Sequence, residues 1–359
     1  MSYTEVQDEG CLTRLKNAIA GVVFGFIIFV LAFPLTFWNE GRAVKRAQDL
    51  AEGKSSVITI DAATVNAEND GKLVHMTAEA VTKETLRDRT FGVTINALRL
   101  KRYVEMYQWK EKKETKSKKK VGGGKRKITT YKYSKTWSSS LINSSNFRKP
   151  EGRRNPTSMP YNSNNWQAGK VTVGAFRLST SLVNDINSWS DLPPAEAKNK
   201  PSRATVDGSY LFIGSGSLSS PTVGDVRISF KAVTPTTVSF YSKQKGDSFE
   251  PYTTANGGTL QRLSVGTHTS KELFEAAEFE NTIMTWVLRF VGFFMMWLGI
   301  VLILKPFEVM ADVIPFLGNL VGAGISLAAF GVAAPLTFIT IAIGWIVYRP
   351  VIGILLIMV

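Results

Sequence analysis

The sequence predicts an α+β membrane protein in which a large, mainly β extramembrane domain is inserted between the first and second of four transmembrane α-helices. Three observations support this prediction. Long apolar runs without charged residues lie near both ends of the 359-residue chain. The middle of the chain is polar and shows the alternating pattern of β-strands, interrupted by turn residues. The length allows one substantial domain in addition to several membrane spans.

The first transmembrane helix is predicted over residues 18–38, after a cytoplasmic N-terminal segment of residues 1–17. Residues 18–37 carry no charge, and their length of 20 residues matches a hydrocarbon core of roughly 30 Å. A cleaved signal peptide is the alternative interpretation. The apolar run is longer than a typical signal core, however, and the residues from Trp38 to Glu40 do not form a small-residue cleavage site.

Residues 283–359 are predicted to form the other three transmembrane helices. The second helix covers the apolar run 283–304 and is closed by Lys305 and Pro306. The next charge-free stretch, residues 313–348, is too long for one helix.

Glycine and proline within residues 331–335 are expected to break this stretch. The break gives a third helix over residues 313–332 and a fourth helix from residue 336 onward. Four spans place both termini on the same side of the membrane. We expect that side to be the cytoplasm, since a long domain is translocated largely regardless of its charge.

Two GxxxG patterns occur within the predicted membrane helices. One is formed by Gly21 and Gly25, and the other by Gly318 and Gly322. Small residues at this spacing let helix backbones approach closely in a membrane. We therefore expect tight helix packing at these glycines, within one chain rather than between copies.

The predicted extracytoplasmic or luminal domain covers residues 39–282 and is bounded by helices. Residues 39–53 have one apolar helical face and should continue the first transmembrane helix. Thr269 and Glu272 have the spacing of a capping box, which starts a helix leading into the second span. One helix is expected near residues 179–189. Strands are predicted at residues 56–65, 72–81, 94–107, 170–178, 208–213, 223–233 and 237–242.

A long hairpin with a basic tip is predicted over residues 99–142. Between Lys110 and Lys127 there are ten basic and two acidic residues, which account for +8 of the formal net charge of +14. The tip is either a solvated arm or a site that binds anionic lipid headgroups or an acidic partner. Nucleic acid is not expected as a partner of a translocated domain. The candidate contacts for an anionic ligand are Lys116, Lys118, Lys119, Lys120, Lys125, Arg126 and Lys127.

Five ionisable residues in or beside the C-terminal spans are candidates for an intramembrane or interface function, because charges at membrane depth are costly. Arg289 lies near enough to the start of its helix for the guanidinium to reach the headgroups, which is the structural alternative. Arg349 is either an interfacial anchor or a buried, paired arginine. The five candidates are Arg289, Lys305, Glu308, Asp312 and Arg349.

No catalytic, cofactor-binding or metal-binding site is predicted. His75 lies in a strand pattern and His268 in a loop, without spacing to each other or to paired carboxylates that would suggest acid–base chemistry. Cys11 is the only cysteine, which excludes an intramolecular disulfide and a thiol-rich metal site. The sequence contains no GxSxG, HExxH, EF-hand or Walker pattern. We therefore do not expect an enzyme.

Six short segments, in order along nearly the whole chain, resemble the LUMA family of four-span membrane proteins of the animal nuclear envelope and endoplasmic reticulum, which has bacterial relatives. The segments are NEGRAVK at residues 39–45, the hairpin strands with YQW at 107–109 and YKYSKTW at 131–137, NPTSM at 155–159, GDVRISF at 224–230, TWVLR at 285–289 and GWIVYRP at 344–350.

The resemblance implies one N-terminal span, a large domain in the lumen or its bacterial equivalent, and three C-terminal spans with both termini cytoplasmic or nucleoplasmic. It also implies a role in organising membrane protein complexes, which in animals include lamins and emerin. The chain departs from animal members by ending at Val359 without a basic tail and by its lysine-rich hairpin tip. The missing tail and the low cysteine content favour a bacterial member, for which lamin contacts would not apply.

The function predicted from the sequence is a non-enzymatic membrane scaffold that acts by self-association and partner binding. The alternatives are an ion channel or transport component formed by the C-terminal helices, and a receptor for an acidic ligand or anionic lipid at the basic hairpin. The expected partners are membrane lipids, further copies of the chain and other membrane proteins. The expected location is the bacterial inner membrane, or the endoplasmic reticulum and inner nuclear membrane in a eukaryote.

Overall fold

The structure is a computed structural model that describes residues 2–194 and 197–349. The chain forms two compact units, which we name the β unit and the helical unit. The β unit contains residues 2–3, 51–112 and 131–275. The helical unit contains residues 4–50, 113–130 and the described residues from 276 onward.

Parts of the predicted large domain belong to the helical unit. They are residues 39–50, the far end of the hairpin at 113–130, and residues 276–282. The first and last of these continue the membrane helices, as their helix-forming sequences predict. The far end of the hairpin, residues 113–130, belongs to the helical unit because of contacts with residues that are distant in the sequence. Local sequence patterns do not indicate such contacts.

Three of the four helices in the described residues are long and apolar enough to cross a membrane. The exception is α2, which is one short helix of the β unit. The juxtamembrane helix predicted over residues 39–53 is confirmed, because α1 continues through it without interruption. The helices are α1 (Cys11–Ser56), α2 (Thr180–Asp185), α3 (Ser270–Ala311) and α4 (Pro315–Tyr348).

The predicted helix breaks at Pro306 and at residues 331–335 are wrong. Pro306 lies inside α3 and Pro335 lies inside α4, so the predicted third and fourth spans form one helix in the described residues. A proline ring collides with the carbonyl four residues earlier. Membrane helices tolerate this disruption because neighbouring helices and small local adjustments of the backbone satisfy the groups that proline leaves unpaired. The four-helix count is therefore not confirmed. Residues 350–359, at the end of the predicted fourth span, lie outside the described residues.

The capping box predicted at the start of α3 is confirmed. The Thr269 hydroxyl accepts a hydrogen bond from the Glu272 backbone N–H at 3.2 Å, and the Glu272 carboxylate accepts one from the Thr269 N–H at 2.7 Å. These bonds satisfy backbone donors that a helix start leaves unpaired.

Most predicted strands are present, with shifted boundaries. The strand predicted over residues 56–65 is reduced to two residues, and an N-terminal strand that we did not predict precedes α1. The strands are β1 (Ser2–Glu9), β2 (Ile58–Thr59), β3 (Leu73–Val81), β4 (Thr85–Asp88), β5 (Val93–Asn96), β6 (Arg99–Lys119), β7 (Lys125–Ser138), β8 (Asn164–Gln167), β9 (Thr172–Val173), β10 (Phe176–Arg177), β11 (Ser190–Leu192), β12 (Ala204–Asp207), β13 (Tyr210–Ile213), β14 (Val226–Val233), β15 (Thr236–Lys245), β16 (Ser248–Glu250), β17 (Tyr252–Thr253), β18 (Thr259–Leu260) and β19 (Arg262–Val265).

Two sheets dominate the β unit. The larger one runs in the order β1-β7-β6-β14-β13-β12, with β8 paired to β6 and β11 to β14. The smaller one runs in the order β10-β9-β3-β15-β16, with β19 paired to β15 and β2 to β3. The strands β6 and β7 form the predicted hairpin, and their far ends carry its tip into the helical unit.

One apolar core holds the β unit together. On β14 the buried residues Val226, Ile228 and Phe230 alternate with partly exposed ones, so one face of the sheet is covered. On β15 the buried Phe240 pairs with Met76 of β3 and its ring contacts Phe249 edge to face. These residues belong to a single cluster of buried side chains from both sheets.

The helical unit is held by close backbone approach as well as by side chains. Its core contains Ala32 of α1, Met296 of α3 and Ala333 of α4, all fully buried. A methyl group added to Gly25 of α1 would lie only 2.8 Å from the carbonyl oxygen of Gly299 of α3. Since no side chain separates these backbones, α1 and α3 pack at the distance that small residues permit in a membrane.

Candidate functional site

A buried ion pair joins the three long helices near one end of the helical unit. Glu40 of α1 accepts hydrogen bonds from Nε and Nη2 of Arg289 of α3, at 2.7 and 2.8 Å. It also accepts one from the indole N–H of Trp345 of α4 at 2.8 Å. The Glu40 side chain is 1% exposed. An arginine–carboxylate pair of this bidentate form has both geometric specificity and strength.

Local sequence makes room for this pair. A methyl group on Gly344 of α4 would lie 2.9 Å from the Glu40 side chain, so only glycine leaves space for the carboxylate. The Arg289 guanidinium lies over the Trp286 ring, 4.9 Å from its centroid. Sequence reasoning selected Arg289 but missed Glu40, which it assigned to the large domain. The signal was available, because Ala32, Thr36 and Glu40 recur at the four-residue spacing of one helix face.

A second arginine, Arg42, lies on α1 two residues after Glu40. Arg42 donates from Nη1 to Asn281 Oδ1 at 3.0 Å and from Nη2 to Thr285 Oγ1 at 2.9 Å. Asn39 accepts from the same guanidinium and donates to the backbone carbonyl of Thr285. The side-chain acceptors of Arg42 in the described part of the chain are therefore all neutral groups.

A second charged cluster lies at the other end of the helical unit, where α1 begins and α3 turns into α4. Asp312, whose side chain is fully buried, forms an ion pair with Arg14 of α1 and lies 2.6 Å from Nζ of Lys119 in the hairpin. Glu308 of α3 pairs with the same Lys119 at 3.1 Å and with Lys305 at 2.7 Å. The cluster thus contains three of the five ionisable candidates of the C-terminal spans, together with Arg14 and with Lys119, which was a candidate contact for an anionic ligand.

The second GxxxG pattern accommodates this cluster. A methyl group on Gly318 would collide with the Asp312 carboxylate, and one on Gly322 would lie 2.8 Å from the Glu308 carboxyl carbon. Burial by itself raises the pKa of Asp312, but the hydrogen bonds from Lys119 and Arg14 outweigh it and hold the pKa below its ordinary value. The two glycines therefore make space for carboxylates rather than for another helix.

The two glycines of the first GxxxG pattern, Gly21 and Gly25, have different surroundings. Gly25 packs against α3, within the chain, as described above. A methyl group on Gly21 would meet no atom within 4 Å in the described structure. Only one glycine of this pair is used in packing inside the chain.

The tip of the hairpin docks on the second charged cluster. The backbone N–H of Gly122 donates to the Val313 carbonyl at 3.0 Å, and the Gly123 carbonyl accepts from Arg14 at 2.6 Å. This end of α1 is the one at which the chain enters the helix from β1. The placement does not match the expectation that residues 113–130 lie across the membrane from the N-terminal segment.

The N-terminal strand β1 supplies acidic partners for the basic tip. Asp8 accepts hydrogen bonds from Lys120 at 2.5 Å and from Arg126 at 2.9 Å. Lys127 donates to Glu9 at 2.5 Å. The bonds from Arg126 and Lys120 hold the pKa of Asp8 well below its ordinary range. The tip is therefore partly neutralised within the chain rather than left as a repelling arm.

The remaining basic candidates differ in surroundings. Lys116 and Lys118 are exposed on β6. Lys125 has a lowered pKa, because burial disfavours its charge and the nearby cations of Arg14, Lys127 and Lys305 repel it. Their predicted contact with an anionic ligand stays a prediction.

Arg349 follows the last turn of α4. Its backbone N–H donates to the Trp345 carbonyl at 2.7 Å, and the side chain is half-buried. The described residues show no ion pair for Arg349. The next residues, on which the choice between an anchor and a buried pair depends, lie outside the described part of the chain.

The charged candidates give no support to a water-filled path. Arg289, Lys305, Glu308 and Asp312 are each paired with an opposite charge inside the chain. In the β unit, His75 bonds through Nε2 with the His268 carbonyl oxygen at 3.0 Å. Within residues 2–194 and 197–349, no group of three or more His, Cys, Asp and Glu side chains could hold a metal ion.

Comparison with known proteins places the chain in a family. The family model described as Transmembrane protein 43 matches residues 106–350. Transmembrane protein 43 of Mus musculus is 36% identical over 98% of this chain and 90% of its own length. The Homo sapiens protein of that name is 35% identical over 95% of this chain and 88% of its own length.

A more distant relative is the Transmembrane protein 43 homolog of Drosophila melanogaster, which is 28% identical over 92% of this chain and 89% of its own length. No solved structure matches the chain significantly. The match to the family model and the near full-length similarity to the mouse and human proteins lead to one conclusion. The chain belongs to the Transmembrane protein 43 family, which is the LUMA family, and it is a membrane protein.

Proposed function

We propose that the chain is a non-enzymatic membrane scaffold that associates with further copies of itself through an exposed face of α4. The observation that carries this proposal is a stripe of small residues on that face. Gly324, Ala328 and Gly331 follow one another at four- and three-residue spacing, which places them on one side of the helix. A methyl group on Gly324 or Gly331 would meet no atom within 4 Å.

The stripe differs from the glycines that the chain uses internally. Gly25, Gly299 and Gly344 are buried against neighbouring helices, whereas Gly324 and Gly331 are exposed. In a membrane, apolar side chains gain little by leaving lipid, so helices associate where small residues permit backbone contact. A stripe that no helix within residues 2–194 and 197–349 covers is therefore suited to a second α4.

Such a face also suits the helices of other membrane proteins. A scaffold whose copies associate through α4 would present several β units to shared partners. In a eukaryotic cell we propose the endoplasmic reticulum and inner nuclear membrane as its location, and in a bacterium the cell membrane.

The proposal is tested by measuring the mass of the full-length protein in lipid nanodiscs. Wild type should form an oligomer, and the double variant Gly324→Ile/Gly331→Ile should shift the population toward monomer by at least about tenfold in dissociation constant. The control is Ala20→Ile, which adds an aliphatic side chain at an exposed position of α1. A monomeric wild type, or a double variant with wild-type mass, would remove the proposed self-association.

A further inference from the structure

The end of the helical unit at which the hairpin tip docks carries an excess of positive charge. Three segments meet there, residues 4–17, 113–130 and 305–314. They contain eleven lysines and arginines against six aspartates and glutamates, which leaves a formal net charge of +5. We name this feature the basic end.

The basic end lies where the three long helices leave the hydrocarbon. The charge-free run of α1 begins after Lys16, that of α3 ends at Lys305, and that of α4 begins after Asp312. These boundaries lie at one end of the unit, since Arg14 of α1 pairs with Asp312. Charged residues that directly flank membrane helices lie at the depth of the lipid headgroups. An anion bound at the basic end is therefore at headgroup depth.

Lys125 of the tip has no acceptor in the described part of the chain. Its side chain is half-buried. Burial and repulsion by the nearby charges of Arg14, Lys127 and Lys305 lower its pKa, while Glu9 acts in the opposite direction. A half-buried ammonium group among other cations is stabilised when an anion binds beside it.

Two lysines near Lys125 have unused donors. Lys127 donates one hydrogen bond to Glu9, and Lys305 donates one to Glu308. A lysine ammonium group has three N–H donors, and these two side chains are 35% and 40% exposed. Because the charges of both lysines act on Lys125, the three ammonium groups are near one another. They can donate to an anion in addition to their carboxylate partners.

Exposed apolar side chains border the basic end. Val121 in the tip is 87% exposed, Leu12 at the start of α1 is 82% exposed, and Phe316 at the start of α4 is 73% exposed. The Gly122 N–H bond to the Val313 carbonyl holds the tip beside the turn between α3 and α4. Exposed apolar groups rimmed by polar residues are typical of a surface that contacts a membrane. The apolar rim favours a lipid over a soluble anion.

We propose that the basic end binds the headgroup phosphate of one anionic glycerophospholipid. Nζ of Lys125 donates to a phosphate oxygen, and Lys127 and Lys305 supply further donors. The acyl chains lie against the apolar rim beside Phe316. Lysine binds phosphate as a point charge, and the net charge of +5 selects a headgroup that is negative overall. The inference depends on the docked hairpin tip and not on the small-residue stripe of α4.

The test is native mass spectrometry of the delipidated full-length protein in detergent, titrated with dioleoylphosphatidylglycerol. Lys125→Ala removes no hydrogen bond or ion pair of the docked tip within the described residues. The matched control is Lys118→Ala, which removes one lysine charge at an exposed position of the same hairpin. Wild type should bind one lipid, and Lys118→Ala should bind it with an affinity within about twofold of wild type. Lys125→Ala should bind it at least about tenfold more weakly.

Two further ligands distinguish the parts of the lipid. Dioleoylphosphatidylcholine has the same acyl chains and no net charge, and it should bind wild type at least about tenfold more weakly. Glycerophosphoglycerol, the headgroup without acyl chains, should also bind at least about tenfold more weakly.

Each other outcome overturns the proposal or part of it. Equal losses in Lys125→Ala and Lys118→Ala would show that total charge, and not a site at Lys125, attracts the lipid. Equal affinities for the two lipids would remove the selection of a negative headgroup. Equal binding of glycerophosphoglycerol would assign the site to a soluble phosphate ester instead of a lipid.

Thermal unfolding checks that Lys125→Ala is folded. If it is not, Lys125→Gln takes its place with the same expectation, and wild-type affinity in that variant would contradict the proposal. The mass spectra also report the oligomeric state, so loss of lipid is distinguished from loss of self-association.

Discussion

Glu40 and Arg289 form a bidentate ion pair between α1 and α3, in which the Glu40 side chain is 1% exposed. Trp345 of α4 donates to the same carboxylate, so one residue from each long helix meets at this point. Taking two charges out of water costs several kcal/mol per ion, and the mutual attraction offsets this only with good geometry. The pair therefore fixes the register of the three helices more than it adds net stability.

This argument predicts a strongly non-additive double-mutant cycle. Glu40→Leu and Arg289→Leu should each destabilise the helical unit by about 3 kcal/mol, because each leaves one charge buried without its partner. The double variant should lose much less than the sum of the two. Reversible unfolding in mixed detergent measures all three values. Trp345→Phe removes only the indole bond to the carboxylate and should cost about 1.5–3 kcal/mol, the range for a hydrogen bond to a charged group.

Additive losses in that cycle would mean that Glu40 and Arg289 are not coupled. In that case the register would have to depend on packing alone.

The glycines of the first GxxxG pattern should respond differently to the same substitution. Gly25→Ala places a methyl group 2.6 Å from Leu302 Cβ and 2.8 Å from the Gly299 carbonyl oxygen, which forces α1 and α3 apart. Overpacking of this kind costs about 1–3 kcal/mol. Gly21→Ala meets open space and should be neutral or slightly stabilising. Thermal unfolding in the same detergent compares the two variants, and equal effects would contradict the close approach at Gly25.

Docking of the hairpin tip should depend on pH through Asp312. The folded-state pKa of this carboxyl is lower than the ordinary value of 3.8 because Lys119 and Arg14 bond to the charged form. A group with a lowered folded-state pKa contributes stability above its unfolded pKa and loses it as the pH falls through the folded value. Docking should therefore persist at neutral pH and weaken below about pH 4.

Hydrogen exchange of residues 113–130, corrected for the intrinsic effect of pH, measures that change. In Asp312→Asn the tip should exchange faster at neutral pH and respond less to acid. Exchange of the tip that is identical in wild type and Asp312→Asn would contradict the role given to Asp312.

The single cysteine reports on the tip independently. Cys11 is partly buried, and a methyl group on Gly123 would lie 2.7 Å from its sulfur, so the tip backbone covers this side chain. Replacing residues 118–127 with a short glycine turn should speed alkylation of Cys11 by a membrane-impermeant maleimide at least about tenfold. The control variant Lys116→Ala leaves the tip contacts in place and should alkylate at the wild-type rate.

If Cys11 reacts equally fast with and without the tip, the hairpin does not dock at the start of α1. The same reagent, applied to Ser117→Cys in a Cys11→Ser background, should label the tip from the side of the membrane that labels Cys11.

Local sequence patterns predicted the individual helices and strands better than they predicted which of these contact one another. The run at residues 18–37 gave a membrane helix, and alternating residues such as Ile228 and Phe230 gave a strand with one buried face. Thr269 and Glu272 gave the helix start. Each of these depends on residues that lie within a few positions of one another.

The features that were not predicted, such as the docked hairpin tip, depend on contacts between residues that are distant in the sequence. Lys119 meets Asp312 across 193 positions, and neither residue has a neighbour that indicates the other. The prediction that the tip is solvated or binds an external anion considered only the lysines of the tip. It did not include the acidic residues of β1, which pair with those lysines in the structure. The break predicted at residues 331–335 rested on the helix propensities of glycine and proline, and a propensity argument does not include the neighbouring helices that let α4 continue through both residues.

A cysteine scan of α4 tests the central claim, self-association through the small-residue stripe, most directly. In a Cys11→Ser background, single cysteines at positions 324–335 are oxidised in native membranes and disulfide-linked dimers are quantified. Two Cα atoms must lie within about 7 Å for a disulfide to form. The account predicts that crosslinking peaks at Gly324, Ala328 and Gly331 with helical periodicity. Absence of crosslinks, or a maximum on the opposite face of α4, would contradict it.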